Sequence, residues 1–397
     1  MWTRHTTRQW RRRAANMAEF KIQPLARFEG SSAAIRRPKE IACFSYDENH
    51  QFRLDDSSLR YYYPPRLPVD LSQGFDTFKN LDDTADDHLD ALLTTIMDME
   101  KKDGKKCEAD VMTWRGMMTK IMAAPFDFFN DFEMNATCFQ GTIFLEENHS
   151  YKLAEKAKQN SKPPRPGAHS QEMMSYWGYK FETLSLLPAP WGETSREYIE
   201  GRENEVVSNY AQYCSVVKTG IGNTSLVLGG EVDAVWDTKP ADPTQPTNWV
   251  ELKTAAASLT PTDALKHERK LLKFWIQSFL LGVPRIVVGF RSASGILAHL
   301  EELDTRSIPG HVKRQGKASW DGNVCINFAA GFLDVLRKTV GTGTEEEGGV
   351  WRIRRRQRSP VIEIWKVEEA GTGGILSREF VAWREELRGR EGAEMQG

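Results

Sequence analysis

An α+β fold with one extensive mixed β-sheet is what the sequence predicts. Strand-like runs recur from end to end, helix-period segments lie among them, and no change of composition divides the 397 residues in two. At 40% hydrophobic and 27% charged residues, the chain can bury one large core or two modest ones.

From Ala18 to Pro68 the chain reads as strands and turns, and Tyr61-Tyr62-Tyr63 is held extended by Pro64-Pro65. Asp86 to Lys101 predicts a helix, because Leu89, Leu92, Leu93, Ile96 and Met97 recur at helical spacing behind first-turn acids. Ala109 to Ala123 predicts a second helix, ended by Pro125. Phe126 to Glu147 predicts paired strands with Gln140-Gly141 as the turn. Lys156 to Gly167 is a polar, Pro-rich surface break. Tyr179–Leu187, Tyr210–Val217, Leu226–Trp236 and Trp249–Thr254 are strand-like. Thr262 to Leu281 is a long helix opened by Pro261-Thr262-Asp263. Val283–Phe290 and Ile296–Leu303 return to strand, and Val324–Val340 is helical. Gly341 to Gly349 is a surface insertion; strands around Trp351 and Ile362 and a short charged helix end the chain.

The formal net charge of −2 announces no polyanion binder, although an enzyme needs only a local basic track. Five cysteines at wide spacings, without a CxxC pair, indicate neither a zinc site nor a disulfide framework and suit a reducing compartment. No apolar run approaches a membrane span. Residues 1–19 form a basic extension expected to be disordered, and 20–390 a single domain. The first 18 residues hold five arginines and no acid, which suits a transit peptide, a nuclear-import patch at Arg11–Arg13, or a leader ahead of a start at Met17.

The chemistry concentrates between Gly229 and Lys253. GGEVDAVWD and WVELKT both look like buried strands. Strand alternation sends Glu231 and Asp233 to one face, and Glu251 and Lys253 to one face of theirs. If the strands pair, three carboxylates and an ammonium meet, which is costly in a core unless a divalent cation sits among them. Oxygen ligands suit Mg²⁺ or Mn²⁺. Glu251 follows Asp233 by 18 positions, with Lys253 two further on. This is the D…ExK constellation of restriction-type nucleases, in which carboxylates hold the metal and the lysine orients or deprotonates a metal-acidified water. The plainer alternative is a solvated strand face, against which stand apolar Val250, Leu252, Val232 and Val235.

Glu182 in GYKFETL reads as a strand residue that could add a fourth carboxylate. Arg115 beside Trp114 is either a structural salt bridge or a phosphate clamp. Lys266, Lys270, Lys273 and Gln277 fall near one helix stripe; Lys266 reads as solvation, and Gln277 as a buried amide with a specific partner. The arginine-rich run Trp351–Arg358 either touches RNA backbone or is a solvated strand end. A P-loop, an HExxH site and a nucleophile elbow are absent from the sequence.

TWRG (113–116), GYKFE (178–182), GEVD (230–233), VELKT (250–254) and KFWIQSFLLGVP (273–284) occur in this order. Together they resemble the decapping exoribonuclease (DXO-type) family, in particular its fungal nuclear branch. RRPKEIACFSYD (36–47), LRYYYPP (59–65), FQGTIFL (139–145) and VVGFRS (287–292) extend the resemblance over residues 20 to 370. It implies two sheets around a central cleft, flanked by helices. It implies metal binding by Glu182, Asp233, Glu251 and the Leu252 carbonyl, with Glu231 reaching the metal directly or through water, and two Mg²⁺ or Mn²⁺ ions. Lys253 and Gln277 would meet the scissile phosphate or its water, Arg115 an RNA phosphate, and Cys214 the substrate, unless Cys214 is simply a small buried residue. The implied reactions are hydrolysis of 5′-triphosphate ends, incompletely methylated caps and NAD caps to leave 5′-monophosphate RNA. The implied partner is the nuclear 5′–3′ exoribonuclease, and the implied compartment the nucleus. A DNA endonuclease of the D…ExK type and a scaffold that only stabilises the exoribonuclease are the alternatives.

Overall fold

The computed structural model describes residues 17–161, 169–242, 245–257, 260–314, 318–341 and 348–394. In chain order the strands are β1 (Met17–Lys21), β2 (Ile35–Tyr46), β3 (Phe52–Arg53), β4 (Tyr61–Tyr62), β5 (Val69–Asp70), β6 (Val111–Trp114), β7 (Phe132–Phe139), β8 (Thr142–Glu147), β9 (Leu186–Leu187), β10 (Gln212–Ile221), β11 (Thr224–Glu231), β12 (Ala234–Val235), β13 (Trp249–Ala256), β14 (Arg285–Arg291), β15 (Ile296–Asp304), β16 (Val350–Arg355) and β17 (Val361–Glu368). The helices are α1 (Asp90–Asp103), α2 (Arg115–Ala123), α3 (His149–Asn160), α4 (Gln171–Ser185), α5 (Arg196–Gly201), α6 (Pro261–Leu281), α7 (Ile308–Arg314), α8 (Gly322–Val340) and α9 (Arg378–Glu394).

Strand patterning predicts a single sheet, but there are two, as the resemblance implies. One runs β1-β17-β16-β7-β8-β6-β11-β10-β2-β3, the other β5-β15-β14-β13-β12-β4-β9. Each is mixed: β6 lies parallel to both β8 and β11, and β13 parallel to β14. Alternation explains the layering. Leu226 and Leu228 of β11, and Trp249, Ile286 and Val288 of the second sheet, enter one core with Met118 of α2, Ile276 of α6 and Phe328 of α8. Val227 faces the other way, onto Leu92 and Leu93 of α1 and Phe380 of α9. Val250, Leu252 and Val287 back onto Trp177 and Phe181 of α4. Helices α2, α6 and α8 thus share one core with strands of both sheets, and α4 covers the outside of the second.

Local signals hold where the turn chemistry is strong. Gln140 and Gly141, at φ 47° and 77°, make the tight hairpin between β7 and β8. Helix α6 starts on Thr260, whose side chain accepts from the Asp263 amide, and stops at Gly282, φ 73°.

Several expectations change. Residues 109–123 are not one helix: Val111, Met112 and Thr113, all buried, form β6, and the helix starts at Arg115. Residues 179–185 are helix, not strand, because Tyr176, Trp177, Lys180, Phe181 and Leu184 bury one helical face; only Leu186–Leu187 is strand. The Leu226–Trp236 run breaks at Val232-Asp233, so β11 belongs to one sheet and β12 to the other. The basic extension ends sooner than residue 19, since Met17–Lys21 pairs with β17; residues 1–16 lie outside the described residues. The polar break at 156–167 begins later than expected, as α3 continues through Asn160, and 162–167 fall outside the described residues. The same holds for 342–347 of the glycine-rich insertion.

Candidate active site

The break after β11 creates the site. Glu231 ends a strand of the first sheet, and two residues later the chain is in the second, so Glu231 and Asp233 stand where the sheets meet. Strand β13 pairs with β12, Val250 opposite Ala234. That register lets the Leu252 amide donate to Asp233 Oδ2 at 2.6 Å. Glu251, fully buried, points with Trp249 and Ala255 into the shared core, and Lys253 follows on the same face.

Two cations meet Glu251. Arg115 Nη1 donates to Oε2 at 3.2 Å, and Lys253 Nζ lies 2.6 Å from Oε1. The second contact is an ion pair without hydrogen-bond alignment, which leaves Oε1 buried and short of a donor. Arg115 reaches this point because it is the first residue of α2, directly after β6, which pairs with β11. A side chain on Gly230 would come within 2.9 Å of Leu281 Cδ1 and 3.1 Å of Arg115 Cβ, so glycine there admits both.

Glu182 arrives from α4. Its side chain makes no ion pair or hydrogen bond among the described residues, and neither does that of Glu231. The electrostatics follow. Desolvation and the charges of Asp233 and Glu231 push Glu182 well above the usual carboxylate range. Glu231 rises to about 7, chiefly by desolvation and then by Asp233. Asp233 rises to about 6, by desolvation and then Glu251. Glu231 is open to solvent at the cleft mouth yet lies deep among protein atoms. Desolvation opposes ionisation of Glu251 too, but Lys253 and Arg115 outweigh it and hold that carboxyl low. Burial alone would lower the Lys253 ammonium; Glu251 and Asp233 instead hold it protonated.

Four carboxylates thus face two cations. Among the described residues no three His, Cys, Asp or Glu side chains are placed so that they could hold a metal ion as they stand. The unpartnered Glu182 and Glu231 side chains nonetheless fit a missing positive charge, and an all-oxygen donor set suits a hard divalent cation.

The structure brings the expected residues together, with amendments. Arg115 makes the structural salt bridge, to Glu251. Cys214 sits directly across from Glu231 in the β10–β11 pairing and is buried, its thiol pushed up by desolvation and Glu231. Gln277 is half-buried one turn before Leu281, which abuts Gly230. It has no hydrogen bond among the described residues, so the specific protein partner expected for its amide is not there. Lys266 pairs with Asp263 at 3.0 Å, as a solvated charge would. A residue not singled out from the sequence is Tyr179, which stands one turn before Glu182 and lines the cleft with Asn209. The helical spacing 179/182 would have found it, had the segment been read as helix. The cleft, a cavity of about 160 Å³, runs from Glu182, Glu231 and Asp233 toward Arg60, Tyr198 and Glu205.

The profile of the RAI1-like PD-(D/E)XK nuclease family matches residues 36–381. The decapping nuclease RAI1 of Emericella nidulans is 61% identical over 369 residues, 93% of this chain and 99% of that protein. That of Gibberella zeae is 58% identical over 371 residues, 93% and 97%. Among solved structures, Candida albicans Rai1 in complex with pU5-Mn²⁺ superposes with a TM-score of 0.84 at 30% identity, over 93% of this chain and all of that one. Scheffersomyces stipitis Rai1 with (3′-NADP)⁺ and calcium superposes at 0.83 and 29% identity, over the same shares. With its acids gathered at the strand switch and this likeness along nearly its full length, the chain belongs to the RAI1-like PD-(D/E)XK nuclease family.

Proposed function

We propose that this protein is a divalent-metal-dependent hydrolase of RNA 5′ ends, working within one domain over residues 20–390. Its substrates are 5′-triphosphate RNA, incompletely methylated caps and NAD caps, and its product is 5′-monophosphate RNA. The observation that carries the reading is the excess of four carboxylates over two cations where the two sheets meet. Relatives named as decapping nucleases, and Rai1 structures holding pU5-Mn²⁺ or (3′-NADP)⁺ with calcium, support it.

Glu182, Asp233, Glu251 and the Leu252 carbonyl would hold two cations, Mg²⁺ or Mn²⁺, with Glu231 direct or through water. When bound, the metal supplies an acidified water and countercharge on the phosphoryl oxygens. Lys253 keeps its proton, so it orients the attacking water and stabilises developing negative charge rather than acting as the base. Without a cation, desolvation and Asp233 hold Glu231 at about 7; a bound cation would favour its ionised form. Gln277 offers a free amide to the scissile phosphate, Arg115 its remaining guanidinium donors to an RNA phosphate, and Cys214 a small wall beside Glu231. Nuclear localisation and a complex with the 5′–3′ exoribonuclease complete the proposal.

The test is pyrophosphate release from 5′-triphosphate RNA with Mg²⁺ or Mn²⁺, comparing wild type with Glu231→Ala/Asp233→Ala. The variant folds and releases none. Equal release by both would remove the site from the reaction.

A further inference from the structure

Two sides of the site differ in charge. The cleft beyond Glu231 is walled by Glu48 and Glu205, and Arg60 is the one cation among its described lining residues. An RNA chain would meet repulsion there. Arg115 and Gln277 do not line that cleft; they stand at the site ends of α2 and α6, which pack together. One turn back along α6 from Gln277, about 6 Å at 1.5 Å per helical residue, Lys273 lies 2.9 Å from Asp127, in the segment that follows α2.

Beyond Asp127 lie two exposed rings, Phe128 at 45% and Phe129 at 62%. They are held rather than loose. Buried Arg355 donates through Nη1 to the carbonyls of Asp127 at 2.6 Å and Asn130 at 3.0 Å. The Arg358 amide donates to the Phe128 carbonyl at 2.8 Å, and its guanidinium lies 5.2 Å from the Phe129 ring centroid. Arg358 has φ 60°, a region that favours glycine or asparagine, so keeping arginine there has a backbone cost. Arg356, 68% exposed, stands two residues away.

Rigidly displayed aromatic faces flanked by arginines are what unpaired bases and their phosphates require. We propose that Phe128, Phe129, Arg356 and Arg358, reached along Lys273, form a binding track for the single-stranded RNA on the 3′ side of the scissile bond. The track stacks bases and neutralises phosphates without reading sequence. It rests on the function proposed above only in taking RNA as the substrate.

The test compares a 5′-triphosphorylated dinucleotide, too short to reach the loop, with the same 5′ end on a long unstructured RNA. Phe128→Ala/Phe129→Ala raises KM for the long RNA about tenfold, with kcat and all dinucleotide kinetics unchanged. Arg358→Asn suits the φ, so it folds, and it lowers the salt slope of long-RNA binding by about 0.7 for each phosphate no longer neutralised. Fluorescence anisotropy with a 5′-monophosphorylated long strand in EDTA reads the same weakening without turnover. Equal changes on short and long RNA, or none on either, would overturn the track, the latter pointing to a protein partner for the two rings. Absence of turnover on every RNA, with the anisotropy differences intact, would overturn the proposed reaction and leave the track standing.

Discussion

Two buried acids, Glu100 and Glu251, have the same exposure and opposite surroundings. Both are 0% exposed. Glu100 accepts from the Cys107 amide through Oε1 and from Trp383 Nε1 and Arg384 Nε through Oε2, and Arg384 Nη2 lies 2.6 Å from Oε1. Its charge is matched by Arg384 and each of its oxygens has a partner, so the carboxylate ties α9 to α1, although Arg384 Nη1 is buried without a hydrogen bond. Glu251 has two cations but shares them with Asp233, Glu231 and Glu182, and its Oε1 has no aligned donor. A closed cluster holds elements together; an open one with surplus negative charge is built to receive something.

Asp233→Asn has the largest expected effect: hydrolysis falls by at least about a thousandfold, the scale of losing a key group in a reacting centre, while the metal-free protein melts higher because a repelling charge is gone. A lower melting temperature in EDTA would contradict the surplus-charge reading. Glu100→Gln leaves Arg384 buried without its countercharge and costs about 3–5 kcal/mol, read from the denaturation midpoint, with turnover per folded molecule retained. Gly230→Ala drives a methyl against Leu281 and Arg115, costs about 1–3 kcal/mol, and slows hydrolysis by displacing Arg115. A variant as stable and active as wild type would show that the close approach is unimportant.

The smallest effect is pH-dependent. Glu231 and Asp233 have folded-state values of about 7 and 6, raised above their ordinary 4.5 and 3.8. The folded protein therefore binds more protons than the unfolded chain between about pH 4 and 7, and its metal-free stability falls as pH rises through that window. Saturating Mg²⁺ or Mn²⁺ binds the ionised acids and flattens the decline. Melting curves in EDTA and in excess cation, from pH 5 to 8, check both slopes; parallel slopes would argue against a cation at these acids.

Much of the site is legible in the sequence because its chemistry is local. Asp233, Glu251 and Lys253 announce themselves as charges inside apolar strand patterns, and β13 falls where its sequence pattern puts it. Glu182 stands out as an acid of interest, but the element that carries it does not. Tyr176, Trp177, Tyr179 and Phe181 are residue types that favour strands, and only burial at helical spacing on the face of the second sheet makes the segment α4. The first residues of 109–123 escape for the converse reason: Val111–Thr113 is too short to show a period and is strand because β8 and β11 flank it.

The order of the acids, their spacing and the glycine that admits Arg115 are properties of the chain alone, since each follows from residue type and position. Which sheet each acid belongs to, the capture of Glu251 by Arg115 across 136 positions, and the arrival of Glu182 on a helix were decided by tertiary packing. The reason is physical: periodicity acts over a few residues, whereas the passage from one sheet to the other at Val232-Asp233 exists only because two separately assembled sheets share one core.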